Sequence, residues 1–293
     1  MFLDVQRELV ENGGMLDSIE WVANTEDVDD LRWLDEVLIP SSPSYKRIDV
    51  PETRDAGNYG SLWDSAKRGN LYIKIDDDVS FIDCHAIREL IRVRVLNPNA
   101  FLVSANVVNS PLMSWVHYRT GAVHAYMPEL HPPPPPSSPS ASLPARVAGQ
   151  AKVSDWRAST QPTWSGPTGT RMELDAEPPF SGHRWLPTRG NPEYPLRNTP
   201  IAQSEYAPWG KSYKWPVVAQ EHASLLENIE DGRLDLYGTR SGVWDVTGER
   251  LTINLIALWG DDLVREGPFQ DDELELSKSI PDTTERRTCL WAP

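Results

Sequence analysis

The sequence predicts an α/β fold with a mostly parallel central sheet flanked by helices, and three observations carry that prediction. Helical and strand-like apolar patterns alternate from Met1 to Ser110, the order that builds a parallel sheet. Leu71, Ile73 and Ile75 alternate through a short β-favouring run, read as a buried strand, that stops on Asp76-Asp77-Asp78. Ligands of open α/β sheets sit beyond the carboxyl ends of strands, so three carboxylates at such an end mark a candidate site.

Taken in order, Phe2 to Val10 reads as a short helix with Leu3, Leu9 and Val10 partly on one face, ended by Asn12-Gly13-Gly14. Ser18 to Ala23 reads as a strand, with Asn24-Thr25 capping a helix from about Glu26 to Leu38. Val28, Leu31, Leu34 and Leu38 fall on one side of that helix. A polar connection with Pro40, Pro43 and Pro51 leads to a helix from Tyr59 to Lys67, then to the strand entering Asp76. Asp83 caps a helix bearing Ile87, Leu90 and Ile91 that ends before Pro98, and Phe101 to Val108 is a further strand.

His131 to Leu143 breaks the pattern with five consecutive prolines and a Ser-rich run, a composition that favours extended chain. From there to about Trp215 the sequence reads as a long irregular insertion, ordered where its Trp and Tyr residues dock. The domain plan is a first half over 1–129, an insertion over 130–215 and a C-terminal half over 216–293. In the last part, Val217 to Glu230 is a helix with Leu225, Leu226 and Ile229 as its apolar face and Gly232 as its stop. Arg250 to Trp259 is apolar enough to be buried, as strand or helix, and runs into Gly260-Asp261-Asp262. Asp271-Asp272-Glu273 opens a last helix containing Leu274 and Leu276, with acidic groups at its positive end.

Composition narrows the function. The net charge of −15 argues against nucleic acid or an anionic membrane as partner. Cys84 and Cys289 give neither a disulfide framework nor a zinc pattern and read as small buried residues. No apolar segment approaches the roughly 18 residues of a membrane span, and the start is not a signal peptide, so the chain as written reads as soluble and cytoplasmic. Twelve tryptophans offer faces for stacking as well as for packing.

Three adjacent carboxylates repel one another unless a cation lies between them, and hard oxygen ligands suit Mg²⁺ or Mn²⁺ held together with a diphosphate. The plainer alternative for Asp76-Asp77-Asp78 is a solvated turn, and the same applies to Asp261-Asp262. For Asp271-Asp272-Glu273 the plainer role is helix capping.

Tyr72-Ile73-Lys74-Ile75-Asp76-Asp77-Asp78, Phe101 to Asn109, and Trp259-Gly260-Asp261-Asp262 followed by Asp271-Asp272-Glu273 together resemble the GT-A nucleotide-diphospho-sugar transferases. More specifically, they look like a group of uncharacterised fungal proteins placed with them. The resemblance covers about Asp17 to Asn109 and Ala219 to Arg287 and leaves out the Pro-rich insertion. It implies a GT-A-like fold and a metal-dependent glycosyltransferase acting on a nucleotide-sugar donor and an unknown acceptor. Mn²⁺ or Mg²⁺ would be held by Asp76 and Asp78, because alternate residues leaving a strand point the same way. Asp77, Lys74, Asn106 and Asn109 would contact the nucleotide-sugar. Asp272, or its neighbours Asp271 and Glu273, would take the acceptor proton in an inverting enzyme. His222 reads as structural, and Trp244 and Trp259 as core or sugar-stacking residues. GT-A domains usually begin with a strand ahead of the opening helix and carry a late metal-binding histidine; neither is found in this sequence, which implies a truncated or weakly active copy. Membership would place the protein in the Golgi or another secretory compartment, reached through an N-terminal anchor outside this chain.

Two other readings compete. In a haloacid-dehalogenase-type phosphatase Asp76 would be the nucleophile and Asp78 the general acid, with Gly260-Asp261-Asp262 as the later acidic motif. The other is a non-catalytic transferase fold that serves as a binding or scaffold protein.

Overall fold

A computed structural model describes residues 2–50, 59–132, 157–207, 213–238, 242–283 and 288–291. In chain order the strands are β1 (Ile19–Ala23), β2 (Tyr45–Asp49), β3 (Leu71–Ile75), β4 (Ala100–Ser104), β5 (Tyr126–Pro128), β6 (Trp185–Pro187), β7 (Trp244–Asp245), β8 (Leu255–Trp259) and β9 (Thr288–Trp291). The α-helices are α1 (Phe2–Arg7), α2 (Val28–Trp33), α3 (Ala86–Leu96), α4 (Pro111–Thr120), α5 (Trp215–Glu230), α6 (Gly260–Glu266), α7 (Asp272–Leu274) and α8 (Ile280–Thr283). The chain divides into two compact units, Met1–Asn106 with Ser241–Pro293, and Val107–Arg240. The predicted proline run lies, from Pro133 onwards, outside the described residues.

In the first unit a five-stranded sheet has the order β3-β8-β4-β9-β7. Its β3–β8, β4–β8 and β7–β9 pairs are antiparallel and only β4–β9 is parallel, so the sheet is mixed rather than mostly parallel. The alternation up to Ser110 reports correctly that β3 and β4 run the same way. It carries no sign that β8, from a distant segment, slots between them and runs against both. β3 consequently lies at the sheet edge and is half-buried along its length, whereas β4 is buried throughout. The segment from Arg250 resolves into an irregular lead-in followed by strand β8.

β1 and β2 form a separate parallel pair joined through α2. β2 occupies what reads in sequence as a polar connection, because Tyr45-Lys46-Arg47-Ile48-Asp49 lacks apolar alternation. It is held instead by Tyr45, buried edge-on against Trp21 with Leu9 and Leu38 in the same cluster. The helix expected from Glu26 to Leu38 is α2 followed by a π-helical turn, Leu34–Leu38. Its cap is Asp27, whose Oδ1 accepts from Asp29 N at 2.8 Å; Thr25 accepts from Asp27 N instead. Leu38 is buried but Val28 is exposed.

The helix expected over Tyr59 to Lys67 shrinks to a 3₁₀ turn, Gly60–Trp63. At its start the backbone passes so close to Phe269 that a Cβ on Gly60 would lie 1.8 Å from the Phe269 carbonyl oxygen, so only glycine fits there. α3 forms where expected, with Ile87, Leu90 and Val93 buried, but its N-cap is His85, without a side-chain cap, and Asp83 instead accepts from His85 N ahead of it. Val103, Ala105, Leu255, Ala257 and Leu290 join Leu90 and Val93 in the core. Cys289 is buried as expected, but Cys84 is exposed.

In the second unit α5 forms where expected with its faces exchanged. Leu226 and Ile229 are 41% and 39% exposed, while Gln220, Glu221, Ser224 and Asn228 are buried with Val217. Irregular chain packs here, and its backbone polar groups must be satisfied. Gln220 donates to His124 O at 2.7 Å and accepts from Ile201 N at 2.9 Å; Asn228 donates to Ala122 O at 2.7 Å. Aromatic docking organises the residues of the expected insertion. Trp164 and Tyr194 meet edge-on at 4.4 Å, and β5 pairs with β6 beside them. Among the described residues no helix is long and apolar enough to cross a membrane.

Candidate functional site

The Asp triplet begins where β3 leaves its ladder. Asp76 N donates to Asn254 O at 2.9 Å, and the chain then turns over Asp77-Asp78, closed by Val79 N donating to Asp76 O at 3.3 Å. Asp76 is half-buried; Asp77 and Asp78 are exposed. The expectation that Asp76 and Asp78 point alike as strand residues fails, because the strand ends at Ile75 and the triplet is a turn. Lys74 forms an ion pair with Asp76 Oδ1 and donates to Ile253 O at 3.0 Å. Burial pushes the Asp76 carboxyl above the usual range; Lys74 opposes that rise, and the charges of Asp78 and Asp272 add to it.

Of the groups that raise the Asp76 carboxyl, Asp272 contributes least, after burial and Asp78. Asp272 opens α7, is 6% exposed, and accepts the Trp63 indole N–H on Oδ2 at 3.0 Å. Asp271 caps the same helix, accepting from Leu274 N at 2.9 Å, and pairs with Arg250 at 3.4 Å. Glu273 lies 3.7 Å from Arg250 Nε; burial raises its carboxyl, Arg250 opposes that, and Asp271 and Asp272 add to it.

Asn106 follows β4 on the same end of the sheet. Ala105 N donates to Leu255 O while Asp76 N donates to Asn254 O, so the two chain ends flank the entry to β8, about 10 Å apart across one strand. Asn109 belongs to the second unit, where it is exposed before α4. His222 is exposed on α5 in that unit, not buried as a structural histidine. Trp244 and Trp259 are half-buried, and the Arg94 guanidinium lies over the Trp259 ring at 5.8 Å.

Asp261 and Asp262 lie at the other end of the sheet. Trp259 pairs with Leu71 and Ile75 with Leu255, so one strand length, about 15 Å, separates them from Asp76. Asp261 accepts from Gly69 N at 2.7 Å; Asp262, fully buried, accepts from Arg94 at 3.1 Å and Arg265 at 2.8 Å. Both are structural, and the acidic pair that a phosphatase of the competing type needs beside Asp76 is not assembled.

Among the described residues no group of three or more His, Cys, Asp or Glu side chains is set to hold a metal ion. Carboxylates are the donor chemistry of an open Mg²⁺ or Mn²⁺ site, in which one or two share the ion with phosphate oxygens; here Asp76 already pairs with Lys74 and Asp78 is exposed. Trp63 and Arg250 complete the cluster and escape a sequence reading: one is a single Trp among twelve, the other the polar start of an apolar run. Compared with protein-family models, curated proteins and solved structures, the chain matches none.

Proposed function

We propose that the protein is a metal-dependent glycosyltransferase of GT-A-like fold, which moves a sugar from a nucleotide-diphosphate donor to an acceptor hydroxyl. The observation that carries this reading is the Asp76-Asp77-Asp78 turn where β3 leaves its ladder, with Asn106 at the same end of the sheet. Asp76 and Asp78 would share Mn²⁺ or Mg²⁺ with the donor diphosphate, and the bound cation would supply charge stabilisation to the leaving group. Of the three late carboxylates, Asp271 is engaged in capping and with Arg250, and Glu273 faces Arg250. Among the described residues no cation pairs with Asp272, so it is the carboxylate best placed to receive the acceptor proton. Asn106 and Lys74 stand at the same sheet end as contacts for the nucleotide-sugar.

Calorimetry with UDP and GDP, with and without Mn²⁺, tests the assignment. Asp76→Asn and Asp78→Asn should each abolish the metal-dependent binding while the fold persists; unchanged binding in both would sink it. One observation favours a second reading, a binding protein without transfer: the Lys74 ammonium already neutralises Asp76. Metal-dependent nucleotide binding without donor hydrolysis or transfer would select that reading.

A further inference from the structure

We infer that the outer face of α2 docks an arginine-bearing segment of a protein partner, its guanidinium stacked on Trp33 and paired with Asp30 and Glu36. α2 and the π-helical turn that extends it direct one side inward, where Leu34 and buried Leu38 pack with Trp21 and Tyr45. Trp33 lies on the opposite side. Residues three and four apart are neighbours on a helix surface, so Asp30 and Glu36 flank the indole and Val37 extends its apolar surface. Trp33 and Val37 are 52% and 55% exposed, and no other tryptophan is exposed among the described residues. The protein's own rings show what such a face accepts. Trp115 and Trp259, both half-buried, each lie under a guanidinium, that of Arg119 at 5.2 Å and that of Arg94 at 5.8 Å. An indole attracts a guanidinium through its ring quadrupole, and the planar fork of arginine can engage a carboxylate at the same time. Trp33, more exposed than either, carries no such cover among the described residues. Asp30 and Glu36 are exposed and pair with no cation among them, whereas Arg32 takes Asp29 and Arg47 takes Asp35.

Charge selects the occupant. From Glu26 to Val37 the sequence carries six carboxylates and one arginine, in a chain of net charge −15. Two copies meeting on this face would set those carboxylates against one another, and an acidic or purely apolar partner would leave them unpaired. A segment presenting arginine beside an aliphatic residue meets the ring, the two carboxylates and Val37 together. Trp and Arg are also the residues that most often dominate interface energies.

The test titrates the full chain with capped peptides of sequence LRRLRR, LKKLKK and LEELEE. Indole ¹⁵N–H resonances report on the ring, with Trp33→Phe assigning the Trp33 signal, and calorimetry gives the affinities. The Trp33 signal should shift saturably with the arginine peptide, which should bind about threefold tighter than the lysine peptide; the acidic peptide should not bind. Trp33→Ala, and Asp30→Asn combined with Glu36→Gln, should each weaken the arginine peptide about tenfold. Glu173→Gln combined with Glu177→Gln removes the same charge at exposed positions of the second unit and should leave binding unchanged. All these positions are exposed, so circular dichroism should match the parent. Equal losses from the two double variants would reveal diffuse charge attraction and overturn the inference. So would an unmoved Trp33 signal, equal affinity for the lysine peptide, or arginine binding indifferent to Trp33→Ala. A dimer in sedimentation that Trp33→Ala dissolves would put a second copy on this face and overturn it as well.

Discussion

Trp63 and Asp272 stand 209 residues apart in the chain and meet through a 3.0 Å hydrogen bond from the indole N–H to carboxylate Oδ2. The bond ties the 3₁₀ turn that precedes β3 to the first residue of α7.

Trp63→Phe keeps an aromatic ring but removes the donor from a carboxylate that is 6% exposed. A buried acceptor left without its donor costs about 1–3 kcal/mol. Urea denaturation should show a loss in that range, with the circular dichroism of the native state unchanged.

Asp262 offers a contrast between structure and function. It is fully buried and bonded to Arg94, which is fully buried as well. Asp262→Asn leaves the Arg94 charge uncompensated and should cost about 3–5 kcal/mol. Asp261→Asn, whose Arg68 partner is exposed at 3.8 Å, should cost less than about 1 kcal/mol. Equal losses from the two substitutions would contradict the geometry.

The polar face of α5 makes the stability of the second unit depend on pH. Glu221 Oε2 lies 2.8 Å from Ser114 Oγ, which lies 3.1 Å from Ser110 O. Ser114 Oγ donates to Glu221 Oε2, and Glu221 Oε1 is buried without a hydrogen-bond partner among the described residues. Burial pushes the Glu221 carboxyl well above its ordinary 4.5 and takes His117 from 6.5 down to about 4. His117 Nδ1 faces Val108 O at 3.2 Å and Glu221 Oε1 at 3.8 Å.

The stability held by neutral Glu221 is fully present below pH 4.5 and is lost as pH rises through its folded-state value. That held by neutral His117 is present above pH 6.5 and is lost as pH falls through about 4. Above 4.5 the Glu221 contribution falls with pH while, up to 6.5, the His117 contribution rises, each by up to about 1.4 kcal/mol per pH unit for one proton, so the two slopes oppose each other. Glu221→Gln should abolish the fall and uncover the rise with pH between 4.5 and 6.5. Denaturation midpoints measured across this range decide it.

Lys74 competes with any cation for Asp76. Their ion pair places an ammonium on the carboxylate that the metal assignment needs. Lys74→Met should tighten Mn²⁺ binding several-fold, as measured by calorimetry. Weaker Mn²⁺ binding in that variant would show that Lys74 orients the carboxylate rather than competing for it.

Local pattern alone set several parts of this molecule. The strand entering Asp76, the helices over Ile87–Leu90 and Val217–Glu230, and an acidic helix start at Asp271 all follow from short-range periodicity and capping chemistry. The tertiary structure decided the rest, since the deciding contacts are long-range. Whether β3 is central or at an edge depends on β8, nearly two hundred residues later, entering between β3 and β4. Gly60 stands where the Phe269 carbonyl leaves no room for a side chain, a contact the local sequence does not announce. The buried face of α5 is polar because irregular chain beside it presents backbone groups that need partners, a demand invisible in the helix's own sequence. The two acidic clusters look alike in one dimension, yet the antiparallel register places half-buried Asp261 and fully buried Asp262 at one end of the sheet and Asp76 at the other.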